Sequence, residues 1–193
     1  LKYDVLCVDL PWKYNSRKAG GERRNKTKFG GGAEKYYNLM PDEEIFELSS
    51  LVDKVSAENC ALFLWTVPPK LNIAFKVFEA WEFRYATKAF TWIKLTKDES
   101  LIYNPGYYTA SNSEDVLLGV RGSMRPTECM IQQVVFAPRG KHSQKPEEVQ
   151  DRIERMYPNA TRLEMFATRQ RDGWTCVGNA IDGKDIRVAL GEL

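Results

Sequence analysis

An α/β fold, a mostly parallel sheet with helices on both faces, is what the sequence predicts, and three observations predict it. Short β-rich apolar runs alternate along the chain with segments of about 10–15 residues at helical spacing. The longest apolar run, Cys60–Val67, is of strand length and far short of the roughly 20 residues a membrane span needs. Hydrophobic residues are 43% and charged residues 28% of 193 positions, which permits one buried core and disfavours disorder or a fibrous repeat. One domain over 1–193 is therefore expected, with no internal repeat.

The elements follow in order. Tyr3–Val8 is a β-rich run closed by Asp9, a buried strand with a polar group at its carboxyl end. Across Asp42–Val55, Ile45, Leu48, Val52 and Val55 share a helical face, and Pro41 with Asp42, Glu43 and Glu44 marks the start. Cys60–Thr66 is a second strand. Leu71, Ala74, Phe75 and Phe78 keep helical spacing, with Trp81 continuing the stripe. Ala86–Leu95 and Glu114–Val120 read as strands, the latter closed by Arg121-Gly122, and Gln133–Ala137 as a fifth stopped by Pro138. Pro146, Glu147 and Glu148 open a helix with Val149, Ile153 and Met156 on its apolar side. Arg162–Ala167 and Trp174–Val177 complete the strands, and Ile186, Ala189, Leu190 and Leu193 indicate a terminal helix. In such sheets ligands bind beyond the carboxyl ends of the strands, so Asp9 and the residues after Phe166 are the places to look.

Composition excludes several chemistries. Cysteines stand at 7, 60, 129 and 176, none within metal-ligand spacing of another, and His142 is the single histidine. No metal site and no disulfide framework is expected, and the cysteines in strand-like contexts read as small buried thiols. A Ser-His-Asp or Cys-His enzyme would have to rest on His142, which lacks a nucleophile elbow and is assigned no catalysis. The chain opens Leu1-Lys2-Tyr3-Asp4 with no export signal, which favours the cytoplasm. Charge is unevenly spread. Lys13 to Lys35 holds eight Lys/Arg against two Glu, a net +6 in a chain whose formal total is +2. With five glycines and little apolar content, this basic loop at about 13–35 is either a solvated linker or a phosphate-contacting arm that orders on an anionic partner. Its position directly after Trp12 favours the second reading.

The chemically richest segment is Asp9-Leu10-Pro11-Trp12. It combines a carboxylate at a strand end, a carbonyl at Leu10, a turn stiffened by Pro11 and an aromatic plane at Trp12. These parts suit an exocyclic amine on a flat base: carboxylate and carbonyl each accept one N–H, and the indole stacks on the ring. Holding both protons frees the nitrogen lone pair for an electrophile without a histidine base. As a bare pattern, an acid followed by a proline turn is also a common way to end a strand.

Asp9-Leu10-Pro11-Trp12 resembles the D-P-P-W motif of the adenine-N6 methyltransferases related to the catalytic subunit of the eukaryotic messenger-RNA adenosine methyltransferase. Further pieces match in the same order: Tyr36-Tyr37-Asn38-Leu39-Met40, Leu62-Phe63-Leu64-Trp65-Thr66 (F-L-W-T/V), and Thr91-Trp92-Ile93-Lys94 (W-x-K). Leu118-Gly119-Val120-Arg121-Gly122 follows L-x-G-V-R/K-G, and Lys141–Glu148 is similar to H-S-x-K-P-D/E-E. Leu163–Ala167 resembles E-L-F-A/G, and Gly173-Trp174 through Gly178-Asn179 resembles W-x-x-x-G-N. Leu10 in place of a proline and Ala180 in place of the usual Gln or Glu are departures.

The resemblance implies a Rossmann-like, S-adenosylmethionine-dependent methyltransferase of permuted order, with the catalytic motif first and the cofactor strand late. By carry-over, Asp9, Leu10, Pro11 and Trp12 are catalytic. Asp9, Lys145, Glu164, Phe166, Arg169, Arg171 and Asn179 surround the cofactor, Lys145 as partner of its carboxylate. Trp12 and Tyr37, with Lys13, Arg17, Lys18, Arg23 and Arg24, meet the substrate. Read without the resemblance, Phe166 and Trp65 would be core residues and Lys145 a solvated lysine at a helix start; Trp81 and Trp92 are read as core. The expected function is N6-adenine methylation of nucleic acid, DNA rather than RNA, in a prokaryotic or phage setting, with a homodimer or a heterodimer with a related subunit as compatible assemblies and no membrane partner. The rival reading is a catalytically silent, nucleic-acid-binding subunit that supports an active partner. A methyltransferase for a small molecule or protein amine is disfavoured by the basic segment.

Overall fold

In the computed structural model the described residues are 1–13, 39–104, 108–140 and 144–193. They build one seven-stranded sheet in the order β5-β3-β4-β2-β1-β6-β7. The strands are β1 (Tyr3–Val8), β2 (Ser56–Thr66), β3 (Arg84–Leu95), β4 (Ser113–Arg121), β5 (Val134–Pro138), β6 (Arg162–Met165) and β7 (Thr175–Val177). β1 pairs in parallel with β2 and β6, β3 with β5, and β6 with β7; only β4 runs antiparallel, between β2 and β3. The mostly parallel Rossmann-like sheet expected from the sequence is the one observed.

Alternation along the central strands divides two cores. Leu6, Val8, Leu62 and Leu64 face helices α1 (Asp42–Glu47), α2 (Ser49–Val55), α3 (Leu71–Ala80) and α6 (Ile186–Glu192), meeting Ile45, Val52, Phe78 and Leu190. Val5, Cys7, Ala61 and Phe63 face the other way, toward Val149, Ile153 and Tyr157 of helix α4 (Glu147–Met156) and its following turn. Cys7, Cys60 and Cys176 are buried thiols, and Cys129 is exposed. Trp81 is buried and donates its indole N–H to the Ile45 carbonyl at 3.0 Å, tying α3 to α1.

The helix expected across Asp42–Val55 is two helices. Leu48 (φ −67°, ψ −9°) takes a tighter turn, its N–H reaching Ile45 O at 3.3 Å. The weak helix formers Ser49 and Ser50 follow it, and the break keeps both Ile45 and Val52 fully buried. β2 starts at Ser56, four residues before the expected Cys60, because α2 runs straight into it, with the Ser56 hydroxyl donating to Val52 O at 2.6 Å. β5 extends to Pro138, which an edge strand tolerates because the missing N–H faces no partner. β6 stops at Met165 rather than Ala167, since Phe166 turns left-handed (φ 60°). A short helix absent from the sequence reading, α5 (Asn179–Asp182), follows Gly178. Among the described residues no helix is long and apolar enough to cross a membrane.

Candidate active site

Because β4 is antiparallel, its first residues lie beside the last residues of its neighbours: Asp115 pairs with Thr66, and Ser113 with Ile93. The carboxyl ends of β1, β2, β3 and β6 and the beginning of β4 thus share one edge, the place where a sheet of this class binds ligands. A cavity of about 710 Å³ opens there. Its wall includes Asp9 to Trp12 after β1, Trp65 and Thr66 of β2, Trp92 and Lys94 of β3, and Glu114 of β4. Lys145 comes from the segment before α4, Phe166 to Thr168 from the turn after β6, and Asn179 and Ala180 from α5.

A chain of alternating charge crosses this wall. Lys145 Nζ lies 2.8 Å from Asp9 Oδ2 and 3.1 Å from Glu114 Oε2, while Glu114 Oε1 accepts from Lys94 Nζ at 2.5 Å. Trp65 and Trp92 stand edge to face and each holds one ammonium over its ring, Lys145 at 5.2 Å and Lys94 at 5.2 Å from the centroids. Burial pushes the Asp9 carboxyl up, and the neighbouring Lys145 only partly offsets this. Glu114 is half-buried, yet the two lysines hold its carboxyl below the usual range. Lys145 is moved upward although burial opposes its charge, because Asp9 and Glu114 both face it. The arrangement is a fixed anion at the end of β1, a cation that two carboxylates share, and aromatic walls.

The turn after Asp9 is tight. Leu10 O accepts the Trp12 N–H at 2.9 Å, folding the chain about Pro11, and retains a second lone pair. Pro11 O accepts Met40 N–H at 2.9 Å, and Trp12 bridges Met40 in parallel. Trp12 is 5% exposed, with the Lys70 ammonium 5.8 Å from its ring centroid and itself paired with Asp42 at 2.6 Å. Just before Asn179, Gly178 (φ 151°) is required by closeness: an added Cβ would lie 3.0 Å from Ala167 N and Phe166 Cα.

The residues singled out from the sequence fall into three groups. Asp9, Leu10, Pro11, Trp12, Lys145, Phe166 and Asn179 all line the cavity. Glu164, Arg169 and Arg171 do not line it. Glu164 and Arg169 bond to Gln150 of α4 just behind the wall. Arg171 is committed to α4, with Nε 2.7 Å from Glu154 and Nη2 2.5 Å from Asp151, and so is placed as a brace away from the cavity. Lys13 is exposed next to Trp12. Tyr37, Arg17, Lys18, Arg23, Arg24 and the basic loop beyond Lys13 lie outside the described residues, as does His142. Trp65 and Trp92, read as core, are 3% exposed each and also form the cavity wall. Glu114 is not singled out by the sequence, where it reads only as the first residue of a strand.

Fold and site together define a Rossmann-like α/β protein with a cavity at the carboxyl edge of its sheet. The MT-A70 family model matches residues 3–180, and the chain belongs to the MT-A70 family; it is a methyltransferase. It is 32% identical over 198 residues to the Type II methyltransferase M.MunI of Mycoplasma sp, covering 97% of this chain and 81% of that protein. It is 25% identical over 151 residues to the N(6)-adenosine-methyltransferase MT-A70-like of Arabidopsis thaliana, covering 76% of this chain and 22% of the relative. It is 22% identical over 187 residues to the human N(6)-adenosine-methyltransferase catalytic subunit METTL3, covering 94% of this chain and 29% of that protein. The chain thus spans most of the bacterial relative and under a third of these eukaryotic ones.

Proposed function

We propose that the protein is an S-adenosylmethionine-dependent N6-adenine methyltransferase that acts on nucleic acid, with DNA preferred to RNA, and that the chain works as one methyltransferase domain in the cytoplasm. The observation that carries this reading is that the Asp9 end of β1 and the Phe166 end of β6 open into one cavity with Asn179. Its volume, about 710 Å³, lies in the range that takes a nucleoside-sized ligand. Its chemistry also fits the cofactor: Asp9 and Glu114 suit a sulfonium and an ammonium, Lys145 a carboxylate, and Asn179 a ribose hydroxyl. When bound, S-adenosylmethionine supplies the electrophilic methyl group.

The protein's own part is positional. The Asp9 carboxylate accepts one N–H of the adenine amine and the free lone pair of Leu10 O accepts the other. The nitrogen lone pair is thereby turned out of the ring plane and aimed across the cavity. Trp12 and the Pro11 turn form the flat wall beside the base, and a duplex target has to expose its adenine to reach it. Lys145, which faces Asp9 and Glu114, would hold the cofactor carboxylate, and Asp9 would then be the acceptor for the amine. The DNA preference is supported by the similarity to a Type II methyltransferase over 97% of this chain. The basic Lys13–Lys35 segment fits phosphate contacts. Incubation with methyl-labelled S-adenosylmethionine and matched DNA and RNA oligonucleotides, followed by identification of the modified base, tests the reading. Label in N6-methyladenine of DNA supports it, and label in protein or a small amine alone refutes it.

A further inference from the structure

Behind the cavity wall, Gln150 uses both ends of its amide, one as donor and one as acceptor. Its Nε2 donates to Glu164 Oε2 at 2.8 Å, and its Oε1 accepts from Arg169 Nη2 at 3.1 Å. Gln150 is 5% exposed, one of four buried polar residues among the described residues. Glu164 and Arg169 stand at the two ends of the turn that carries Phe166, Ala167 and Thr168 into the cavity. That turn is under backbone strain, because Phe166 holds φ 60° without being glycine. It is tied to β7 by Ala167 N–H to Val177 O at 3.0 Å. A strained turn persists where its surroundings over-determine it, and Gln150 grips both of its ends at once.

We propose that Gln150 is a positioning residue for the cofactor: it clamps the 164–169 turn in the shape that receives S-adenosylmethionine and touches no reacting group itself. The proposal rests on the methyltransferase reading above. The amide orientation is the one the chemistry demands, donor toward carboxylate and carbonyl toward guanidinium. Methionine at 150 preserves the volume and removes both bonds. Glutamate preserves the length and sets a carboxylate against Glu164, which is also faced by Arg169, Cys176, Cys7 and Asp9.

Isothermal titration with S-adenosylmethionine, beside steady-state kinetics on an adenine-containing oligonucleotide, tests the clamp. Gln150→Met is expected to bind the cofactor about tenfold more weakly, with kcat at saturating cofactor within about twofold of the parent. Gln150→Glu is expected to lose affinity progressively as pH rises and the carboxyl pair ionises, while the parent stays comparatively flat. Parent-like affinity in Gln150→Met, or a Gln150→Glu affinity ratio that does not vary with pH, overturns the clamp. The Gln150→Glu ratio keeps the test decisive if the methionine variant does not fold. A parent protein that binds no S-adenosylmethionine overturns the methyltransferase reading itself, a result distinct from either.

Discussion

At the residue scale, Asp9 carries a carboxyl that burial makes costly to ionise. Burial raises its carboxyl above the ordinary range although Lys145 stands beside it, and the ionised form is the stronger acceptor for an N–H. With the folded value above the unfolded value, an ionised Asp9 costs stability at neutral pH, and the cost disappears as pH falls through the folded value. Asp9→Asn is therefore expected to melt at an equal or higher temperature than the parent at pH 7 and to lose at least about 100-fold in turnover. Thermal melts read beside a methylation assay check both halves, and a variant that melts lower and still turns over contradicts the account. Activity is likewise expected to fall on the acid side with an apparent pKa above the ordinary carboxylate value of about 4. A pH–rate profile that stays flat to pH 4 argues against Asp9 as the acceptor.

At the element scale, two glycines separate stability from function. Gly119 in β4 faces Phe78, and an added Cβ would sit 2.5 Å from Phe78 Cδ1 and 3.1 Å from Phe83 Cβ, far from the cavity wall. Gly119→Ala is expected to cost about 1–3 kcal/mol in chemical denaturation while turnover per folded molecule is retained. Gly178→Ala pushes on the Phe166 turn and carries a left-handed penalty, so it is expected to lose both stability and cofactor affinity. Equal functional effects of the two would mean that the turn after β6 does not shape the site. The strands were legible in the sequence because their β-rich runs are bounded by turn residues, and Asp9 because it closes such a run. The division of residues 42–55 was not legible, since Leu48 fits a continuous helical stripe and only packing selects the tight turn. Glu114 was hidden because nothing local says that its strand runs antiparallel and so begins at the ligand edge. Gln150 was hidden because a polar residue beside Val149 on an amphipathic helix usually faces water. Motif matching marked Glu164 and Arg171 as cofactor residues, yet it cannot show that a side chain is engaged by α4.

At the scale of the whole molecule, charge is segregated, with +6 between Lys13 and Lys35 and a compensating excess of acid over the remaining sequence. Binding to single-stranded oligonucleotides is expected to weaken steeply with salt. Replacing Arg17, Lys18, Arg23 and Arg24 by glutamine is expected to reduce the slope of log K against log salt by about 3. An unchanged slope, measured by fluorescence anisotropy, would mean that this segment does not contact phosphate. The sheet brings β1 together with β6 and β7, so the turns carrying Asp9 and Phe166 reach one cavity from opposite ends of the sequence. The most direct test of that convergence is transfer of labelled methyl from S-adenosylmethionine to an adenine-containing oligonucleotide by the parent and by Asp9→Ala, with cofactor binding followed in parallel. The account predicts N6-methyladenine from the parent, and no product from a folded Asp9→Ala; near-parental product from that variant would contradict it.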